Sequence, residues 1–265
     1  MQSGVHVFKN IVVAVDGSQH SMTAAQLAAQ IAQACGGTVE ALFIKDTSII
    51  RAPYWRDFGA LTLPVTRFDH ALDEFFQMRG EAVLQTLKER HGMSGTIVAG
   101  RIDREIIQAA RDADLLAMGA AGEAHEDNND EEHIAARVIR TVRGTSTPVL
   151  SAPASATPIA RVRLAYCKLV SGNAVAGAVD ISREMGLPLS ATALGNGDDG
   201  RDELARAVLT DHGLSELTPT TVPGDAAHAL VSATQPGDLV IMADDDFDDL
   251  DRAIRGLRAP VLLFG

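Results

Sequence analysis

Asp114-Leu115-Leu116-Ala117-Met118-Gly119-Ala120-Ala121-Gly122 is the stretch from which the fold of this chain can be read. Leu115 to Met118 is a short continuous apolar run, as expected of a strand covered on both faces. Gly119 and Gly122 allow a tight turn at its C-terminal end, and Ala135 to Val142 supplies a returning helix. Glycines at such a corner let backbone N–H groups approach an anion. In an open parallel sheet, ligands usually sit at that corner.

Outward from this strand the same grammar repeats. Ile11 to Val15 is another apolar run, ended by Asp16-Gly17-Ser18, so Asp16 stands at a strand tip. Ser21 to Cys35 is alanine-rich, with Leu27, Ile31 and Cys35 at helical spacing and Gly36-Gly37 as the stop. Val39 to Ile44 is a second strand, and strand, helix, strand with short connections implies a right-handed crossover into a parallel sheet. Asp46 to Asp69 interrupts the rhythm with Pro53, Tyr54, Trp55, Phe58 and Pro64. It is too long for a routine connection and reads either as a lid or contact surface, or as a loop pinned by its aromatics. Leu72 to His91 returns to helix, Thr96 to Ala99 makes a third strand, and Asp103 is placed to cap the helix before Leu115. Thr147 to Leu150 opens a fifth strand.

Ser151 to Ala160 is rich in Ser, Ala and Pro and reads as a linker, after which the first half recurs. Asp114 to Met118 is matched by Asp238-Leu239-Val240-Ile241-Met242, and Arg143-Gly144 through Leu150 by Arg255-Gly256 through Leu262. Two matches in the same order argue for a duplicated module. The expected division is a first module at 1–152, a linker at 153–160 and a second, degenerate module at 161–265. In the second copy Cys167 stands where the first has Asp16, and Ala243 and Asp246 replace Gly119 and Gly122. Asp244 to Asp249 carries oxygen donors suited to a hard cation, but reads more simply as a solvated acidic loop before a helix.

Composition limits the functions available. The 265 residues are 46% hydrophobic and 22% charged, ordinary for a globular protein with room for two cores. A net charge of -12 argues against binding nucleic acid or anionic membrane. No apolar run approaches a membrane span, Met1 to Asn10 lacks a signal-peptide pattern, and a cytoplasmic location is expected. Cys35 and Cys167 lack metal-ligand spacing and are expected as reduced thiols.

The ordered features together resemble the universal stress protein family in its tandem form: Val15-Asp16-Gly17-Ser18, the alanine-rich helix, Asp114 to Gly122 and the Pro148-Val149-Leu150 strand. The resemblance implies α/β modules, each an open parallel five-stranded sheet with helices on both faces, of the adenine nucleotide alpha hydrolase-like class. It further implies that Thr147 to Ser151 and Pro260 to Phe264 pair edge to edge, making the chain a pseudo-dimer. Members that bind ATP carry Gly-x-x-Gly, nine residues, then Gly-Ser or Gly-Thr. Carried over, this puts the acid on Asp16, a strand-two contact on Ile44, the strand-four end on Met118 and the glycine pair on Gly119 and Gly122.

The nine-residue spacer, Glu123 to Glu131, is then followed by Glu132-His133, where the family has Gly-Ser or Gly-Thr. Glu123, Glu126, Asp127, Asp130, Glu131 and Glu132 crowd the phosphate end, and each like-charge contact costs about 1 kcal/mol even in water-like dielectric. A triphosphate should bind poorly unless Mg²⁺ bridges the charges or the loop moves aside. The expected protein is therefore a stress-response regulatory or protective binding protein with a degenerate ATP site. The alternative is a sensor of ATP or another adenine nucleotide with one site in the first module. No nucleophile motif is present, so no enzyme is expected. His125 and His133 fit no zinc pattern, no sequence feature identifies a protein partner, and further homo-oligomerisation is left open.

Overall fold

A computed structural model describes residues 8–47, 65–120, 144–168, 170–196, 199–246, 252, 254 and 256–265. Among these, β1 (Asn10–Val15), α1 (Gln19–Cys35), β2 (Thr38–Asp46), α2 (Val65–His91), β3 (Ser94–Gly100), α3 (Ile102–Arg111), β4 (Leu115–Gly119) and β5 (Val149–Ala152) form the first half. The second half comprises β6 (Arg161–Tyr166), α4 (Gly172–Met185), β7 (Leu189–Leu194), α5 (Asp199–Asp211), β8 (Thr220–Val222), α6 (Ala226–Ala233), β9 (Asp238–Ala243) and β10 (Val261–Phe264). Helix α2 starts seven residues earlier than Leu72, so the end of the aromatic interruption is helical. The Trp55 segment itself lies outside the described residues.

The ten strands make one sheet in the order β3-β2-β1-β4-β5-β10-β9-β6-β7-β8. Every pairing is parallel except β5 with β10, where Leu150 faces Leu262 and Val149 faces Leu263. The expected pseudo-dimer is thus one sheet with a central antiparallel seam. The seam strands are short and wholly buried, as are all six residues of β9, so their sequences are continuous apolar runs. The outer strands β3 and β8 are largely exposed and carry Ser, Thr and Gly. Pro148 and Pro260, each just before a seam strand, lack an N–H but accept equivalent bonds from Leu116 and Val240, both 3.0 Å.

Helices α1, α2, α4 and α5 cover one face of the sheet and α3 and α6 the other, giving two apolar layers. Alanines let α1 lie close to the sheet: Ala24, Ala25 and Ala28 are fully buried. Ser18 begins α1, its Oγ accepting from the Ser21 N–H at 3.2 Å, and Gly36 ends it at φ 62°. Asp103 does not cap α3. Arg101 occupies that position without a side-chain bond, and Asp103 falls inside the first turn, where a negative charge suits the helix dipole.

The segment after β5 is tied down rather than loose. Gln30 of α1 holds the backbone of Ile159 in both directions, at 2.8 and 2.9 Å, and Thr23 donates to the Ala154 carbonyl at 2.9 Å. At the N-terminal ends of the strands, two acids in equivalent places fasten β1 and β6. Asp114 accepts from the backbone N–H of Lys9 and Asn10 at 2.9 and 2.8 Å. Its counterpart Asp238, fully buried, instead binds Arg161 and Arg163 at 2.8 and 2.9 Å and the Gln235 N–H at 2.8 Å. No helix among the described residues is long and apolar enough to cross a membrane.

Candidate functional site

The sheet order places a topological switch point in each half. From β1 the chain crosses to β2 on one side, and from β3 it crosses back over to β4 on the other. The C-terminal tips of β1 and β4 are therefore where connections diverge, which leaves a crevice in open α/β sheets. The second half repeats the arrangement with β6 and β9.

At the first switch point, Asp16 follows β1 and is half-buried. Its Oδ1 accepts from the Ser18 N–H at 3.0 Å, a local turn that sets up the cap of α1. Its N–H donates to the Ser21 hydroxyl at 3.3 Å, and that hydroxyl donates to the Ser18 carbonyl at 3.0 Å. Arg79, on α2, donates from Nη2 to the Asp16 carbonyl at 2.9 Å. Gly17 allows this close approach. At φ 89° with Val83 Cγ2 3.0 Å from where a Cβ would stand, a side chain would be strained twice over.

The sequence-derived site residues divide into two groups. Asp16, Ile44, Met118 and Gly119 lie at the C-terminal ends of the adjacent strands β2, β1 and β4. Register pairs Val15 with Phe43 and Val13 with Ala117, so these ends are level. Ile44 and Met118 pack into the same apolar layer. The sheet ladder runs one residue past Gly119, with the Ala120 N–H donating to the Ala152 carbonyl at 2.7 Å. Gly122, Glu132 and His133, together with His125 and the acidic run, lie outside the described residues. Arg79 was not singled out in the sequence. It is one cation on a long amphipathic helix, and nothing local connects it with a strand tip 63 residues away.

At the second switch point the same scaffold holds different groups. Cys167 follows β6 as Asp16 follows β1, and the Asp244 N–H continues the β9 ladder to the Phe264 carbonyl at 2.9 Å. Arg201, on α5, repeats the role of Arg79: its Nη1 donates to the Cys167 carbonyl at 3.2 Å and to the Leu194 carbonyl at 2.9 Å. It is only 7% exposed. Asp246 closes the corner from β9. Its Oδ2 accepts from the Cys167 N–H at 2.5 Å and its Oδ1 from the Lys168 N–H at 2.7 Å.

Asp244 and Asp246 are 8% and 5% exposed. The reading of this tip as a solvated acidic loop is therefore corrected at both positions. Buried carboxylates are retained only where donors compensate for lost water, and for Asp246 the two backbone N–H groups do so.

Arg201 also lies over the ring of Tyr166, 6.0 Å from its centroid. Burial, reinforced by the charge of Asp202, pushes the Tyr166 phenol up to about 12, and its hydroxyl has no hydrogen-bond partner among the described residues. Burial likewise raises the Cys35 thiol. Both cysteines are unbridged.

Among the described residues, no group of three or more His, Cys, Asp or Glu side chains could hold a metal ion. A groove of about 400 Å³ lies at the opposite, N-terminal ends of β1 to β3, against α3, where Thr38, Glu40, Thr96 and Asp112 line it. Its polar lining residues are exposed and the Glu40 carboxylate already accepts from Thr96 at 2.6 Å.

The model of the universal stress protein family matches residues 8–150. Among solved structures, a universal stress protein from Archaeoglobus fulgidus is similar at 16% identity, with a TM-score of 0.68 over 98% of this chain and 97% of that one. A Pseudomonas aeruginosa protein ascribed to the same family is similar at 13% identity, with a TM-score of 0.58 over 99% and 95%. At these identities the likenesses establish the fold. No curated protein sequence matches the chain significantly.

Proposed function

The chain belongs to the universal stress protein family, and from that premise we propose that it works in the stress response by binding rather than turnover. It is a regulatory or protective protein whose ATP site is degenerate. One observation carries this reading: at both switch points the polar groups of the strand tips are already held from inside the protein. Asp16 is tied to Ser18 and Arg79 in the first half, and Cys167 to Asp246 and Arg201 in the second. The acidic residues between Glu123 and Glu132 add charge that opposes a triphosphate. The hydroxyls of Ser18 and Ser21 are both engaged in starting α1, which speaks against their use as nucleophiles.

The modules are assigned to 1–152 and 161–265, with 153–160 between them. The protein is assigned to the cytoplasm, in keeping with two unbridged cysteines. Its partner contacts are assigned to the Trp55 segment or the acidic run.

A second reading, an adenine-nucleotide sensor with one site in the first module, is favoured by the common placement of Asp16, Ile44, Met118 and Gly119 at three level strand ends. Calorimetric titration of nucleotide-stripped protein with ATP, with and without Mg²⁺, separates the two. The degenerate reading expects no saturable heat at millimolar ATP. Binding of one ATP per chain, abolished in Asp16→Ala, would replace it with the sensor.

A further inference from the structure

We propose that the second strand-tip corner is a small-oxyanion site that the chain fills with its own Asp246 carboxylate. The two oxygens are held separately, by the N–H groups of Cys167 and Lys168 at 2.5 and 2.7 Å. Consecutive backbone N–H groups turned towards one concavity are an anion-binding arrangement in their own right. The anion is therefore seen in place, with a known donor at each oxygen.

Three further observations make the corner a built site rather than a chance contact. The carboxylate is 5% exposed, so it has left water for these donors. Buried Arg201, its charge paired with Asp202 at 3.2 Å, anchors the same bend from the other side through the Cys167 and Leu194 carbonyls. The corner also sits at the β6/β9 switch point, where an open sheet receives ligands. In the aligned first-half position the chain has Gly122, which has no side chain to offer.

A tethered carboxylate competes at a high effective concentration, so a free anion cannot displace it. The intact protein is blind to oxyanions at this corner. Removing the side chain leaves two N–H donors and a space the size of a carboxylate, into which formate, or two oxygens of a phosphate, would fit. The inference does not depend on whether the first corner binds nucleotide.

The test uses the full chain and the variants Asp246→Gly and Asp246→Ser, titrated with sodium formate or inorganic phosphate against sodium chloride at equal ionic strength. Each variant should melt below the parent and regain about 2–4 °C, saturably, in formate or phosphate but not in chloride. The amide resonances of Cys167 and Lys168 should shift with the same midpoint, while the parent moves in neither measurement. If Asp246→Gly folds only in formate or phosphate, that also supports the site. If it folds in neither, Asp246→Ser decides, because its smaller side chain keeps one acceptor and still leaves room. Variants that respond to formate and phosphate no more than to chloride would reduce Asp246 to a turn former. A parent protein whose Cys167 and Lys168 amides respond like the variants would show that the corner is not self-filled.

Discussion

The two switch points of this sheet share a scaffold and differ in what faces the crevice. In each, an arginine from the helix after the second strand grips the carbonyl at the tip of the first: Arg79 on Asp16, Arg201 on Cys167. In each, the fourth strand runs one bond past its end to the fifth, through Ala120 and Asp244. The first corner then has Asp16 bonded to its own turn at Ser18, and the second a cysteine whose N–H is met by the inward-turned carboxylate of Asp246. The difference teaches that bonds which hold strand tips together can persist while the groups that would meet a ligand are replaced. Scaffold bonds depend on backbone atoms, which every residue possesses.

The sharpest probe of this comparison lies at the other end of the strands. Asp238→Ala would leave Arg163, only 14% exposed, without its carboxylate, and should cost about 3–5 kcal/mol in urea unfolding. Asp114→Ala, at the equivalent place, removes bonds from two exposed N–H groups and should cost about 1 kcal/mol. Equal losses would mean that the two halves are fastened alike despite their different chemistry.

A smaller contrast is expected between the two arginines. Arg201→Ala removes a buried guanidinium from two carbonyls, the Asp202 carboxylate and a ring face, and should destabilise by about 2–4 kcal/mol. Arg79→Ala removes a half-buried one from the Asp16 carbonyl, and should cost about 1 kcal/mol. If Arg79→Ala is the costlier, the first corner is the more tightly held of the two.

The smallest effect concerns Tyr166→Phe, which should stay within about 1 kcal/mol of the parent at pH 7 because the hydroxyl has no partner among the described residues. The phenol is raised from 10.0 to about 12 in the folded protein. A raised acid stabilises the fold below its unfolded value and loses that contribution as pH climbs through its folded one. The parent should therefore lose stability between pH 10 and pH 12 more steeply than Tyr166→Phe. Superimposable alkaline profiles would place the phenol in contact with water.

Much of the fold was legible because it rests on local pattern. Apolar runs such as Ile11 to Val15 and Leu115 to Met118 appear as β1 and β4, and the repeat of Asp114-Leu115 in Asp238-Leu239 appears as matching strands. The start of α2 was misplaced because Pro64 and the aromatics before it conceal the first turns of a weakly amphipathic helix. Asp103 was misread as a cap because an acid suits both the cap and the first turn. Of the candidate site, the strand-end residues Asp16, Ile44, Met118 and Gly119 were legible, since each follows or ends an apolar run. Arg79 and Arg201 were not, since a helical arginine looks the same whether it meets water or a distant carbonyl.

The sequence by itself determined which segments become strands and helices, their order, the duplication, and therefore the α/β class and the switch points. Those properties follow from the spacing of apolar residues and from glycine and proline at the breaks, which act over a few positions. Tertiary structure alone decided that Asp244 and Asp246 turn inward, that Asp238 bridges two arginines, and that the second corner is closed by Asp246. A carboxylate chooses between water and a buried donor by what lies across space from it, and Cys167 lies 79 residues away along the chain.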